Sequence, residues 1–521
     1  HNGRRRQRQM CIRDRLKHII KTEREMLQAM ERISSGRRIN NAGDDAAGAA
    51  ISDRMMATVR ALDMSIRNAS DVLSMAQVAE SAINEHSAAL QRIRELSIQA
   101  ATDILNAEQR IYLQTEANQL IQEMDRVARD TTFNEIAVLD GTFADRRFQI
   151  GSHEREKAVI SVANMRVDKI GAYQSSTSMD EAGTAGNLAS EGVVGADASV
   201  TSRIVDGDDL TITGLVGQTT IDVKAGHSAK EIVELVNAKF DSTGVSATAT
   251  TTVKIEATSS DAAGSHVVTF NLFGKNTTAQ AISATIDVAA AAGSSDLTNL
   301  RDSINAYTAN TGIRATLSAD KSNIILVQDE GEDLIIETVD FATVTNANTK
   351  FLFTAMSQDQ TDSAATQITT VTDTNHGAST DSVRFTGQIT FHSSQTFTIA
   401  GNSGGGLYEA APGTATLNQV GSIDIRTVAG AVDALKVIDR ALDRVHMERA
   451  KFGAIMSRMN VVIDNLTNVS TNQQTSRSRI TDANFAAESA RLAKSQILQQ
   501  SGMNMISQAS RTMQNVLILF Q

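Results

Sequence analysis

The sequence predicts a mainly α fold: long N- and C-terminal helices paired as a coiled-coil bundle, a small β-hairpin region, and a central β-rich α+β insert with duplicated units. Three observations carry that prediction. In the C-terminal stretch Leu435, Ile438, Leu442, Val445, Phe452, Met456, Met459, Ile463 and Leu466 keep alternate steps of three and four, interrupted only at Arg449, which is a coiled-coil seam. The N-terminal half answers with Val72, Met75, Ala79, Ala82, Leu90, Ile93, Leu96 and Ala100, then Leu113, Ala117, Leu120, Met124 and Val127. Between the ends, Thr, Ser, Ala, Gly and Asp dominate, and short β runs alternate with turns. One apolar stripe needs another to cover it, so the two ends fold together.

Residues 1–15 are dominated by arginine and share no pattern with the rest of the chain. Met10-Cys11-Ile12-Arg13-Asp14-Arg15 reads as the translation of a sequencing-library adapter, so this stretch is expected to be a non-native start rather than a basic arm. From Leu16 to Arg37, Ile20, Leu27, Met30 and Ile33 among charged neighbours predict an amphipathic helix, within a segment 16–43. Turn formers at Asn40 to Gly43 precede Asp44 and Asp45, whose carboxylates are placed to cap a new helix rather than to do acid/base chemistry.

Helices are then expected over Asp45 to Val59, Asp71 to Thr102 and Ala107 to Arg129. Phe148 to Gly151 and Ala158 to Val162 read as short strands that close a segment 44–170. In the insert, 171–413, Ser228 to Thr248 resembles Asp296 to Thr316 at an offset of 68 residues, through Asn237-Ala238 and Asn305-Ala306 and through Thr243-Gly244 and Thr311-Gly312. Duplication of a small α+β unit accounts for this. A long helix is expected from Val428 to Val469, in a segment 414–475, with a polar break at Asn472 to Ser478 before a last helix from Asp482 to Leu519, in 476–521. That last helix is apolar on several faces, through Phe485, Leu492, Ile497, Met503, Ile506, Met513, Val516 and Leu519, so neighbours must enclose it.

Composition narrows function. At 521 residues, several domains and substantial cores are possible, but with 4% aromatic residues and no Trp the chain is poorly supplied for a deep ligand pocket. No cofactor is expected. A net charge of −11 argues against nucleic acid as a partner, and no apolar run reaches membrane-spanning length, so no membrane insertion is expected. Pro412 is the only proline and leaves the helical ends uninterrupted, while the single Cys11 excludes an internal disulfide. The N-terminus lacks the apolar core of a cleaved secretory signal, so export would use another route.

Arg32-Ile33-Ser34-Ser35-Gly36-Arg37-Arg38-Ile39-Asn40, with Asp44-Asp45-Ala46-Ala47-Gly48 after it, resembles the N-terminal signature of bacterial flagellin. Gln91-Arg92-Ile93-Arg94-Glu95-Leu96, Phe133-Asn134, Leu139-Asp140-Gly141 and Phe148-Gln149-Ile150-Gly151 resemble its next blocks. Ser476-Arg477-Ser478-Arg479-Ile480-Thr481-Asp482-Ala483, Gln496-Ile497-Leu498-Gln499-Gln500 and Gln514-Asn515-Val516-Leu517 resemble its C-terminus. Met513 stands where many relatives carry proline, and methionine continues a helix. The resemblance implies an extracellular filament subunit, exported through the flagellar type III apparatus with an export chaperone and polymerised as a flagellin–flagellin homopolymer against junction proteins and a cap. It implies assembly seams that include Leu90, Ile93, Val516 and Leu519. It also implies recognition by a host Toll-like receptor through Arg92, Leu96 and Glu116, where the plainer reading is that Arg92 and Glu116 form solvated faces while Leu96 belongs to the heptad seam.

The alternative within the same resemblance is a hook-associated junction protein sharing these end domains. An enzymatic insert is not expected: His153-Glu154-Arg155-Glu156-Lys157 lacks the second His of a metallopeptidase helix, and Ser403-Gly404-Gly405-Gly406 has no helix signal after it. An adhesive, glycan-bearing insert is the third reading, with Asn276-Thr277-Thr278 as a candidate acceptor.

Overall fold

The computed structural model describes residues 2–176, 191–195, 204, 206–259, 264–288, 295–318, 320–341, 349–356, 368–372, 382–401 and 413–518. Its helices in chain order are α1 (Asn2–Ser35), α2 (Ala46–Ala100), α3 (Ala107–Asp130), α4 (Ala229–Asn237), α5 (Phe240–Thr243), α6 (Thr298–Asn305), α7 (Thr308–Thr311), α8 (Val428–Thr481) and α9 (Phe485–Ile518). The chain divides into two compact units: His1–Gln77, Asp145–Ser161 and Gly453–Gln521 form the first, and Val78–Ala144 with Val162–Phe452 the second. Pro412, Ser403 to Gly406 and Leu519 lie outside the described residues, as does the side chain of Val516.

In the first unit α1 includes the arginine-rich start and ends where Gly36 turns left-handed, at φ 69°. The two carboxylates after it divide the work. Asp45 caps α2 by accepting the Gly48 amide at 2.9 Å, whereas Asp44 closes the preceding loop by accepting the amides of Asn40 and Asn41, both at 3.1 Å. Those backbone bonds hold the Asp44 carboxyl below its usual range. A Cβ at Gly48 would sit 2.5 Å from the Asp45 carboxylate and 2.8 Å from Ile39 Cδ1, so the cap requires glycine there.

Two expected helix breaks do not occur. The sequence separates Val59 from Asp71, yet α2 runs unbroken through them, because Leu62, Ser65, Ala69 and Val72 carry the buried line onward. Ser65 fits this line by donating its hydroxyl to the Ala61 carbonyl at 2.9 Å. The polar run Asn472 to Ser478 is likewise helical, and α8 continues to Thr481. It contains neither Gly nor Pro, and Thr475 returns its hydroxyl to the Thr471 carbonyl at 2.9 Å, so the run is exposed without breaking the helix. The α2 and α8 helices are antiparallel: Ser470 donates to Asp63 at 3.1 Å in the first unit, and Arg94 pairs with Asp439 at 2.7 Å in the second. In the first unit Arg146–Gln149 and Lys157–Ile160 form the expected hairpin, held to α2 where Asn68 donates to the Gln149 carbonyl at 2.9 Å.

In the second unit α3 starts with a capping box, in which Asn106 accepts the Gln109 amide at 2.8 Å and Gln109 accepts the Asn106 amide at 3.0 Å. After α3, Thr132–Phe133 and Ile136–Ala137 make a minimal hairpin whose turn residues Asn134 and Glu135 both have positive φ, 49° and 65°, as a type I′ turn demands.

The insert holds two hydrophobic cores. The strand Ser246–Ser259 serves both, giving Ala247 and Ala249 to one and Val253, Ile255 and Ala257 to the other. It pairs antiparallel with Gln388–Ser393, Asn323–Gln328 and Thr349–Ala355. The larger core is sealed by phenylalanines, with Phe270 edge-on to Phe351 at 6.4 Å and Phe353 against Phe385 at 5.7 Å.

The duplication holds at the level of single atoms. Asn237 donates to the Ala247 carbonyl at 3.1 Å and accepts the Ala247 amide at 2.9 Å, and Asn305 makes the same two bonds to Ala315, both at 2.8 Å. Gly244 and Gly312 each end a short helix at φ 71°. Each unit is longer than the sequence comparison indicates, since Leu210–Thr213 with Gln218–Ile221 precedes α4 and Gly264–Phe273 with Gln280–Val288 precedes α6. Side chains differ across these hairpins while the backbone repeats, which hides them from residue matching. Asn237→Ala and Asn305→Ala are each expected to lower stability by about 1–3 kcal/mol, because the clasped amide and carbonyl lose their partner. Thermal melts of the two variants should agree, and a cost confined to one would mean that the clasps are not equivalent.

Two buried histidines of the second unit set an acid limit. Burial lowers the pKa of His86, whose Nδ1 donates to the Ala82 carbonyl at 3.1 Å. Burial beside Lys436 and Arg440 pushes His392 down to about 3. Both bind a proton less readily in the folded chain than in the unfolded one, so stability falls as pH drops below about 6.5. Asp333 opposes this: burial pushes it up to about 6 although Arg384 lies 2.5 Å away, so it favours the folded chain as pH falls from 6 towards 4. Two groups lose where one gains, and the melting temperature is expected to fall between pH 6.5 and 4. A flat profile in that window would remove the assignment of lowered pKa values to the two buried histidines.

Candidate assembly interface

The helices α1 and α9 pack against each other antiparallel in the first unit. Arg32 lies 3.3 Å from Glu488 near one end, and Ile19 meets Gly502 near the other, where a Cβ on Gly502 would stand 3.1 Å from Ile19 Cγ1. The covered line on α1 is Ile19, Thr22, Met26, Ala29 and Ile33, and on α9 it is Glu488, Leu492, Ser495, Gln499, Gly502 and Ile506, both in steps of three and four. Their connections meet in a backbone corner, where the Arg38 amide donates to the Thr481 carbonyl at 2.6 Å and the Ala483 amide to the Gly36 carbonyl at 3.0 Å.

Large apolar side chains lie on both the covered and the outer faces of this pair. Glu488 and Ser495 are 4% and 5% exposed, whereas Leu27, Ile497 and Met503 are 56%, 64% and 61% exposed. Leu16, Ile20, Met30, Phe485, Leu498 and Met505 also face outward. The covered lines combine Ile19, Met26, Ile33, Leu492 and Ile506 with small and polar residues, while further large apolar side chains face outward. Covering each such side chain is worth roughly 1.5–3 kcal/mol, so this surface is built for further helices.

Of the seam residues singled out from sequence, Leu90, Ile93, Ile438, Val445, Phe452, Met459 and Leu466 are buried, while Leu435, Leu442, Met456 and Ile463 flank that line and are half-buried. The buried line on α8 also contains Ala434, Ala441 and Glu448, which hydrophobicity alone does not select. Glu448 is held by Lys451 at 2.6 Å. Arg92 and Glu116 come together across α2 and α3 at 2.8 Å, and Arg92 also meets Glu95 at 2.9 Å, all three exposed. Leu96 is 1% exposed and lies in the buried line.

His153 to Glu156 form the loop of the Arg146–Gln149 hairpin, not a metallopeptidase helix. Among the described residues no three His, Cys, Asp or Glu are grouped to hold a metal ion, and no helix is long and apolar enough to cross a membrane. The Asn276 side chain is occupied in its turn, donating to the Leu272 and Thr278 carbonyls at 3.1 and 2.6 Å and accepting the Gly274 amide at 2.9 Å.

Comparison with known proteins agrees with this architecture. The family model described as "Bacterial flagellin N-terminal helical region" matches residues 9–144, and "Bacterial flagellin C-terminal helical region" matches 435–520. "Flagellin hook IN motif" matches twice, at 209–261 and 268–330, over the two duplicated units. The chain is 31% identical to the B-type flagellin of Pseudomonas aeruginosa, covering 97% of each chain, and 27% identical to flagellin A of Helicobacter pylori, covering 96% of each. Among solved structures, FliC from Burkholderia pseudomallei is similar at 17% identity, covering 74% of this chain and 99% of that one, with a TM-score of 0.28. Matched at both ends, in both repeats and along its length to a 31% identical relative, the chain belongs to the bacterial flagellin family.

Proposed function

We infer that this chain is the structural subunit that polymerises into the extracellular flagellar filament for swimming motility. The observation that carries the reading is the α1–α9 pair, whose outer faces hold the large apolar residues Leu27, Ile497 and Met503. A homopolymer supplies the same faces at every position, which satisfies all copies at once. Segments 16–43 and 476–521 serve as the inner core, 44–170 and 414–475 as the rod, and 171–413 as the surface-exposed insert. Relatives matched over nearly their whole length are named flagellins, which favours the filament subunit over the hook-associated junction protein. Incubation of the full chain with filament seeds separates the two. Electron microscopy should show long filaments, whereas a junction protein would add to ends without elongating them.

Export through the flagellar type III apparatus with a chaperone, and contact with cap and junction proteins, belong to the same reading. A host Toll-like receptor would meet the exposed Arg92 and Glu116, with Leu96 beneath them shaping the helix rather than touching the receptor. Arg92→Ala is expected to lower receptor signalling while leaving the melting temperature unchanged, as an exposed ion pair contributes little to stability. Unchanged signalling would remove the receptor site.

A further inference from the structure

Glu488 is a carboxylate on the covered stripe of α9, 4% exposed, in a seam otherwise free of charge on that helix. Two cations hold it. Arg32 reaches it across the pair at 3.3 Å and Arg491 along α9 at 2.9 Å. A buried charge contributes little net stability, but leaving it without a partner is expensive, so a charge on a helical seam discriminates between registers.

The neighbouring registers can be read from the sequence. On α1 the residue one heptad before Arg32 is Glu25, whereas one heptad after it falls at Ile39, past the end of the helix at Ser35. A slip of seven residues one way sets Glu488 against Glu25, a like charge, and a slip the other way carries it past the end of α1 at Ser35. Of these three registers only the observed one places a cation at the α1 position facing Glu488, while Arg491, on α9 itself, stays with Glu488 in all of them. Elsewhere on the covered stripe, Ser495, Gln499 and Gly502 are small or polar and discriminate weakly, while Leu492 and Ile506 ask only for an apolar partner.

We propose that Glu488, with Arg32 as its partner, specifies the register in which α1 and α9 pair. This rests on the assembly reading, because register then decides which outward residues each subunit presents to the next. The backbone corner at Gly36 and Ala483 is the competing determinant.

Disulfide mapping distinguishes them. In a Cys11→Ser background, Ile19→Cys with Gly502→Cys reports the observed register, while Met26→Cys or Ile12→Cys with Gly502→Cys reports a slip of one heptad either way. The full chain is incubated with filament seeds and oxidised with diamide, and the gel band of the intrachain cross-link is measured. With Glu488 present, only the Ile19 pair should cross-link efficiently. In Glu488→Gln the slipped pairs should gain about tenfold in yield, and Glu488→Asp, which keeps a carboxylate on the stripe, should restore the original pattern. If Glu488→Gln leaves all three yields unchanged, the corner alone sets the register and the proposal is overturned. Filament growth is scored separately with Glu488 intact: absence of growth would defeat the assembly reading while the cross-links still report register.

Discussion

Replacing Phe452 by alanine is expected to lower the unfolding free energy by about 3–5 kcal/mol, the range for removing a large aromatic side chain from a core that cannot close around the gap. Phe452 is 1% exposed and lies on the α8 line with Val445 and Met459. Leu435→Ala, at a half-buried position flanking that line, should cost much less. Urea denaturation monitored by the helical signal measures both. Equal losses would mean that the buried line runs through Leu435 and Leu442 rather than through Ala434 and Ala441.

A second large effect is expected at a surface. Leu27→Asp with Ile497→Asp should leave the free chain folded, because both positions are more than half exposed, 56% and 64%. In a polymer each new carboxylate would be stripped of water without a partner, at a cost of several kcal/mol per subunit, so elongation from seeds should cease. Circular dichroism checks that helix content is kept, and light scattering measures elongation. Growth at the parental rate would place the assembly surface elsewhere.

How much of this could be read in the sequence depends on what each residue type reports. The seam on α2 was legible because Leu90, Ile93 and Leu96 are large and periodic, and each is buried. On α8 one heptad position was legible, through Ile438, Val445, Phe452, Met459 and Leu466, and the other was not. Ala434, Ala441 and Glu448 occupy the covered positions, and neither a small residue nor a charge announces burial. The helix breaks expected at residues 60–70 and 472–478 do not occur because neither stretch contains Gly or Pro: the first carries the buried line through Leu62, Ser65 and Ala69, and the second continues as mostly exposed polar helix. The duplication was legible through Asn237 and Asn305 because a side chain that clasps backbone admits few substitutes, whereas the preceding hairpins share geometry without sharing residues.

The candidate interface was half legible. The apolar excess of α9 was evident from Phe485, Ile497 and Met503, but which face meets α1 was not, since that choice depends on Glu488, Ser495 and Gly502 lining the inner side. The ion pair of Arg92 and Glu116 required knowing that α3 returns antiparallel along α2, which sequence spacing does not show.

If the outward apolar residues of α1 and α9 become buried between subunits, thiols placed there should lose access to solvent on assembly. The rate of thiol alkylation at Leu27→Cys and at Ile497→Cys, each in a Cys11→Ser background, can be compared between free chain and seeded filament. Rapid labelling of the free chain is expected, with a fall of about a hundredfold or more in the filament, in line with complete desolvation of an interface core. Filaments that label both positions as fast as the free chain would contradict burial of these faces between subunits.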